Sequence, residues 1–228
     1  MAVTDHHDFC FVPYVQRAIM RASTATPKLW LFPGVEVTCN DVVQCLVLLD
    51  SDSDSSLWER LFGGHLLAIA KTDCELEALP QTILCGRDIP AFFAGLVDDA
   101  ILSSKVIALP HASDEGAHKS MMRQGFHVRF RDLGCDGVYT DKPFQKLEKK
   151  IVERIHGKVE EWGRRRRGII ATSDSRRADF QSLGTNECWI RLGEPTVEAI
   201  RQALLADEAR IALRRTGTPS PTRSRTPH

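Results

Sequence analysis

The sequence has no long apolar run, no paired-cysteine motif and no surplus of charge of either sign. Because a membrane-spanning helix needs about 18 or more apolar residues in succession, we expect no transmembrane segment. The seven cysteines are an odd number, without a Cys-x-x-Cys pair or a preceding signal-peptide pattern. We therefore expect reduced thiols in a soluble, cytoplasmic protein. With 228 residues, 43% of them hydrophobic, the chain can bury one substantial core.

Three common functional motifs are also missing. The chain has no Walker A motif, no glycine-rich dinucleotide loop and no Gly-x-Ser-x-Gly elbow. ATP hydrolysis, Rossmann-type redox chemistry and serine hydrolysis therefore have no support in these residues.

The charges are balanced in number but uneven in position. Lys plus Arg and Asp plus Glu are 30 each, yet residues 1–100 hold six basic and fourteen acidic side chains, so the rest carries the opposite excess. The basic part could face a polyanion such as a nucleic acid, or it could neutralise the acidic part within one fold. The run Arg164 to Arg167 poses the same choice, between phosphate contacts and a solvated loop.

Apolar runs alternate with stretches of helical periodicity along the chain. The pattern predicts helices over 13–23, 89–102, 145–162 and 195–215, and strands over 29–32, 42–49, 105–109 and 168–172, with weaker strands at 128–130 and 137–139. Alternating strands and helices predict an α/β fold with a parallel sheet closed into a barrel, and functional groups at the carboxyl ends of its strands. Residues 216–228, rich in Pro, Ser, Thr and Arg, are predicted to be a disordered tail.

Short polar motifs stand where several apolar runs end. They contain His6, Glu36, His111 and Asp174. Imidazoles and carboxylates are the ligands that zinc, manganese and iron use in proteins. Other roles stay open: His6 could be an ordinary loop histidine, Glu36 could pair with a basic side chain such as Arg176, and Asp174 could cap a helix.

These motifs resemble those of the PHP family, the metal-dependent phosphoesterase domains named for polymerases and histidinol phosphatases. The resembling segments are Val3 to His6, Leu31 to Val37, Ile107 to His111 and Thr172 to Ser175. The segments Cys188 to Leu192 and Glu194 to Leu205 resemble the TrlF-type subgroup, in which a PHP domain heads an AAA-like or SMC-like ATPase. The resemblance spans roughly residues 1–212, although only the architecture matches between residues 50 and 104.

The resemblance implies a distorted (β/α)7-type PHP barrel over residues 1–215 that binds divalent zinc, manganese or iron. It implies a phosphoesterase acting on nucleic acid or nucleotides, with His6, Glu36, His111 and Asp174 as metal ligands. Asp5 and His6 form its catalytic motif, in which Asp5 orients a ligand.

The chain also departs from the family pattern. The opening His-x-His of the first strand is missing, Gln44 stands in place of a histidine, and Arg176 stands in place of the last one. An arginine cannot ligate a metal. We therefore expect a barrel that lacks its first strand and a degenerate site with reduced or no metal. The alternative is a non-catalytic PHP-like module, or a truncated fragment, that docks with an ATPase partner.

Overall fold

The computed structural model describes residues 1–6, 12–24, 30–66, 84–174, 181, 182 and 184–213. The strands of this part are β1 (Ala2–His6), β2 (Phe32–Cys39), β3 (Gln44–Leu49), β4 (Leu84–Cys85), β5 (Val106–Pro110), β6 (Gly137–Thr140), β7 (Gly168–Ala171), β8 (Cys188–Ile190) and β9 (Ile211–Leu213). Its helices are α1 (Val12–Thr24), α2 (Ser55–Leu61), α3 (Ile89–Asp98), α4 (Leu102–Lys105), α5 (His127–Asp132), α6 (Lys149–Ile155), α7 (Val197–Leu205) and α8 (Asp207–Arg210). A π-helical turn (Phe62–Leu66) and two 3-10 turns (Phe144–Lys146 and Glu160–Trp162) complete the described elements. The α/β class is as the sequence predicts, whereas the tail 216–228 lies outside these residues.

The main sheet is mixed rather than parallel. Its order is β1-β2-β3-β5. Strand β1 pairs with the first part of β2, and the short strand β4 pairs with the last two residues of β2 along the same side. A parallel bridge between His111 and Tyr139 connects β5 with β6, which pairs in parallel with β7. Strand β3 is antiparallel to both β2 and β5, so the all-parallel prediction is wrong there. Closure into a barrel stays a prediction, since none of the pairings within the described ranges closes the sheet.

The tight turn between β2 and β3 causes this reversal. Only a few residues separate Cys39 from Gln44, far too few for the crossover that a parallel connection requires. Val42 adopts a φ of 70° in this turn, and its amide donates to the Cys39 carbonyl at 2.8 Å. A β-branched residue in the left-handed region is strained, so this turn is held by the strands on either side.

Four other predicted elements differ from the observed ones. Glu36 lies within β2 and not between two strands, because the extended segment continues through it to Cys39. Residues 128–130 form part of α5, whose turn buries Phe130. The long helix predicted over 145–162 is reduced to α6 with flanking 3-10 turns, because Gly157 has a φ of +68° that ends the helix. The last helix stops at Leu205, and the chain soon enters β9, which pairs antiparallel with β8.

The core consists of two apolar clusters on opposite faces of the sheet. In β3, Cys45, Val47 and Leu49 point into a cluster that α2, α3, α5 and α6 cover, whereas Leu46 and Leu48 point into a second cluster with α7. Burial on both faces explains why β3 is an uninterrupted apolar run rather than an alternating one.

Helix α7 packs against the first residues of β6 and β7. A Cβ on Gly168 would lie 2.8 Å from the Leu204 carbonyl oxygen and 2.9 Å from its Cα, and a Cβ on Gly137 would lie 2.4 Å from Leu204 Cδ2. At Gly168, where an added Cβ would meet backbone atoms of α7, glycine is therefore required for this close approach. Because α7 covers the amino ends of these strands, the carboxyl ends on the same face are where further groups can gather.

The sequence predicts reduced cysteines and no transmembrane segment. Cys39, Cys45, Cys85, Cys135 and Cys188 carry no disulfide. Within the described ranges, no helix combines the length and apolar character needed to cross a bilayer.

Candidate active site

His6, Glu36, Gln44 and His111 meet at the carboxyl edge of the main sheet. His6 is the last residue of β1 and stands in register with Glu36 of β2. Because β3 runs in the opposite direction, its first residue, Gln44, reaches the same edge as the last residues of its neighbours. His111 follows β5 directly, and its backbone N–H donates to the Gln44 carbonyl at 2.8 Å. Three strand ends and the interior of β2, which carries Glu36, thus fix where these side chains begin.

Glu36 is engaged through both carboxylate oxygens. His6 Nε2 lies 3.0 Å from Glu36 Oε2, and the Tyr139 hydroxyl donates to Glu36 Oε1 at 3.2 Å. The amide nitrogen Nε2 of Gln44 lies 3.5 Å from His6 Nε2, at the limit of a hydrogen bond. The partners observed for Glu36 are therefore His6 and Tyr139, whereas Arg176, the partner considered from the sequence, lies outside the described residues.

His111 and Asp141 form a second pair beside the first. His111 Nε2 lies 3.1 Å from Asp141 Oδ1, and the His111 imidazole is almost fully buried. The hydrogen bond from His111 lowers the pKa of Asp141. The ring of Tyr139 lies 5.0 Å from that of His111, tilted by 42°. Tyr139 thus contacts both pairs at once.

The Tyr139 hydroxyl stays protonated in this environment. Burial, and then the nearby negative charge of Glu36, raise the pKa of Tyr139 well above its usual value. A neutral phenol can donate its hydrogen to a carboxylate, which is what the contact with Glu36 requires. Tyr139 therefore holds the orientation of Glu36 across neutral pH.

The two predicted aspartates have different surroundings. Asp5 Oδ1 accepts the backbone N–H of His6 at 2.8 Å, so this carboxylate contacts the main chain of His6. Asp174 follows β7 at the carboxyl edge with an exposed side chain. Across the described ranges, no three His, Cys, Asp or Glu side chains are grouped so that they could hold a metal ion together. The four-ligand set His6, Glu36, His111 and Asp174 therefore stays a prediction.

The donor groups nevertheless have the chemistry that a divalent metal needs. Nδ1 of His6 and Nδ1 of His111 are both buried, and neither has a hydrogen-bond partner among the described residues. Leaving a buried polar atom without a partner is costly, and such atoms often mark where a ligand or ion binds. Two imidazoles and two carboxylates suit zinc, manganese or iron. The residues fit such an ion in donor type, arranged as two pairs.

A solved structure is similar to this arrangement of strands and helices. It is a lesion-specific endonuclease, PfuEndoQ from Pyrococcus furiosus, with a TM-score of 0.57 and 11% sequence identity. That endonuclease has a PHP fold. The fold here is PHP-like. The likeness covers 93% of this chain but 49% of the endonuclease, so the chain spans about half of that protein's length.

At this identity the likeness concerns the fold alone. No protein-family model matches the sequence, and neither does any curated protein. The PHP-like fold agrees with the resemblance seen in the sequence motifs, whereas the TrlF-type subgroup stays a prediction.

Sequence reasoning missed Tyr139 and Asp141. Tyr139 is the third residue of β6, which was predicted as a strand, and Asp141 is the first residue after that strand. His111 was identified because it is a polar residue that follows an apolar strand, and Asp141 meets the same criterion. Tyr139 carries no such signal, because a tyrosine inside a strand is usually part of the core.

The basic run Arg164 to Arg167 serves the fold. Arg167 is buried, and its guanidinium donates to backbone carbonyls at the end of α5. The other three pair with acidic side chains: Arg164 with Glu160, Arg165 with Asp136, and Arg166 with Asp207. Phosphate contacts by this run would therefore have to compete with existing partners.

Proposed function

We propose that this chain is a PHP-type, metal-dependent phosphoesterase domain with a reduced metal site, acting on phosphoesters of nucleic acid or nucleotides. The placement of His6, Glu36 and His111 at one edge of a PHP-like sheet, with two buried imidazole nitrogens that have no hydrogen-bond partner among the described residues, carries this proposal. In α/β folds this edge is the usual place for catalytic groups.

The proposed roles follow from the contacts. His6 with Glu36, and His111 with Asp141, are the groups that would hold a divalent zinc, manganese or iron ion. When bound, such an ion lowers the pKa of water to about 7 and offsets the developing charge on the phosphate. Tyr139 holds Glu36, and Asp141 orients the imidazole of His111.

The remaining predicted residues take secondary roles in this proposal. Asp5 fixes the backbone of His6, which sets where the imidazole begins. Asp174 is proposed as a further ligand from the end of β7. Gln44 is a neutral amide where the family resemblance expects a histidine, which supports a site of lowered metal affinity. Docking with an ATPase partner stays a prediction and would become the better account if the site proved inert.

Metal content and hydrolysis test the proposal together. We would measure zinc, manganese and iron in the purified chain by inductively coupled plasma mass spectrometry, beside Glu36→Gln and the control Glu153→Gln. Glu153 lies on α6, outside the site. We expect metal in the parent chain and in Glu153→Gln, loss of metal in Glu36→Gln, and metal-dependent turnover of a phosphodiester that follows the same order.

A repair variant sharpens this test. Gln44→His would place an imidazole where an amide now lies 3.5 Å from His6 Nε2. We expect this variant to bind more metal and to hydrolyse the phosphodiester faster than the parent. Absence of metal and of turnover in the parent and in Gln44→His alike would refute the proposal and favour a non-catalytic module.

A further inference from the structure

Two loops at the carboxyl edge are joined into one unit by ion pairs. The first, residues 112–126, follows β5, and the second, residues 141–148, follows β6 and leads into α6. The pairs that connect them are Lys142 with Asp114, Lys150 with Glu115, and Arg154 with Glu115. The acidic side chains of the first loop are thereby neutralised by the segment that follows β6.

Three lysines of this unit remain outside those pairs, and we call them the lysine rim: Lys119, Lys146 and Lys149. Lys119 and Lys146 have no ion pair among the described residues, and Lys149, with its side chain 89% exposed, only approaches Glu153 at 3.7 Å. The backbone carbonyl of Lys119 accepts the N–H of Gln44 at 3.1 Å. The backbone of Lys119 therefore lies next to Gln44, at the candidate site.

The position of Lys146 extends the rim away from the site. It ends the 3-10 turn that follows Asp141, and its side chain is exposed. Lys149 begins α6 directly afterwards. Lysine ammonium groups near a catalytic edge attract phosphates, and each phosphate neutralised releases a condensed counterion.

We propose that the lysine rim binds the phosphates next to the reacting phosphoester, so that the substrate of this site is a polynucleotide strand and not a mononucleotide. The proposal rests on the proposed function, because it concerns the substrate of the same site. A mononucleotide has no neighbouring phosphodiester to contact the rim.

Lys158 provides a matched control. It is exposed, and no ion pair involves it in the described part of the chain, as for Lys146. It follows α6, however, and precedes β7, so it lies toward the opposite edge of the sheet. Its removal changes the net charge by the same amount as removal of one rim lysine.

The experiment measures binding of an end-labelled single-stranded DNA oligonucleotide by fluorescence anisotropy, with chelator present, over a range of salt concentrations. For single strands each phosphate contact contributes a slope of about 0.7 in log affinity against log salt, so Lys119→Ala/Lys146→Ala should lower the slope by about 1.4. When salt falls from about 200 mM to 50 mM, the affinity of the double variant should therefore rise by about sevenfold less than the affinity of the parent. Lys158→Ala should keep the parent slope, and a mononucleotide should compete poorly.

The outcomes separate this proposal from the proposed function. Binding is measured without metal and does not depend on hydrolysis. If the parent hydrolyses no phosphodiester but the double variant still shows the lowered salt slope, the proposed function is refuted and the lysine rim is supported. An unchanged slope in the double variant, an equal loss in Lys158→Ala, or equal competition by a mononucleotide would overturn the rim. Lys119→Arg/Lys146→Arg should restore the parent slope, which excludes misfolding as the cause of a loss.

Discussion

Removing the buried guanidinium of Arg167 should destabilise the protein more than removing any other member of its basic run. The side chain is 1% exposed. Its guanidinium donates to the carbonyls of Phe130 at 2.9 Å, Arg131 at 3.2 Å, Leu133 at 3.0 Å and Cys135 at 3.3 Å. These carbonyls belong to the end of α5 and the segment leading to β6, where a helix has no amide donors of its own left.

The expected magnitude follows from two opposing effects. In Arg167→Met the aliphatic stem still packs, but the four carbonyls lose charge-assisted hydrogen bonds of about 1.5–3 kcal/mol each. Burying a guanidinium costs several kcal/mol, which the variant no longer incurs. We therefore expect a net loss of about 3 kcal/mol in the free energy of unfolding.

Urea unfolding followed by tryptophan fluorescence measures this loss. With an m-value of about 3 kcal/mol per molar, the midpoint should fall by about 1 M. The control is Arg164→Met, whose side chain is 78% exposed and, among the described residues, pairs with Glu160 four positions earlier. Such a helix-type pair contributes about 0.5 kcal/mol or less, so its midpoint should move by less than about 0.2 M. Equal midpoints for the two variants would refute the structural role assigned to Arg167.

Three further predictions concern packing, the site and pH. Gly168→Ala should lower the free energy of unfolding by about 2 kcal/mol, because its Cβ meets the backbone of α7. Gly134→Ala, with open space around it, should keep the melting temperature of the parent. Equal melting temperatures for the two variants would contradict this. Tyr139→Phe should weaken metal binding about tenfold by releasing Glu36, and an unchanged affinity in a competition titration would argue against a positioning role. Burial lowers the pKa of His156, so as pH falls below about 6.5 this histidine takes up a proton in the unfolded chain before it does so in the folded one, and the free energy of unfolding should decrease. In urea titrations at several pH values, His156→Asn should show a smaller decrease than the parent. An equal decrease in both proteins would exclude His156 as its source.

The sequence predicted the strands that form the candidate site better than their directions. Apolar runs identified β3 and β5 and the residues that follow them, because burial on both faces leaves a clear pattern. Strand direction depends on the length of the connection and on tertiary pairing, and the turn at Val42 carries no glycine to announce it. The reversal of β3 was therefore not visible in the pattern, although it brings Gln44 to the site.

The roles of charged residues could not be predicted from their spacing. Arg164 and Arg167 stand three positions apart in the same run, yet one is exposed and the other is buried. What separates them is the end of α5, which lies far away in sequence and offers its carbonyls only to Arg167. Tyr139 joins two site pairs for the same kind of reason, because its register with His111 exists only in the folded sheet.

The short turn before β3 makes the chemistry of the site sensitive to chain length. Side chains alternate between the two faces of a strand, so deletion of one residue between Asn40 and Val43 that shifted the register would exchange the faces of Gln44 and Cys45. The site would then receive a thiol in place of an amide, and the two apolar clusters would exchange their β3 side chains. The number of residues in this turn is therefore constrained as strictly as the identity of any side chain that the site contains.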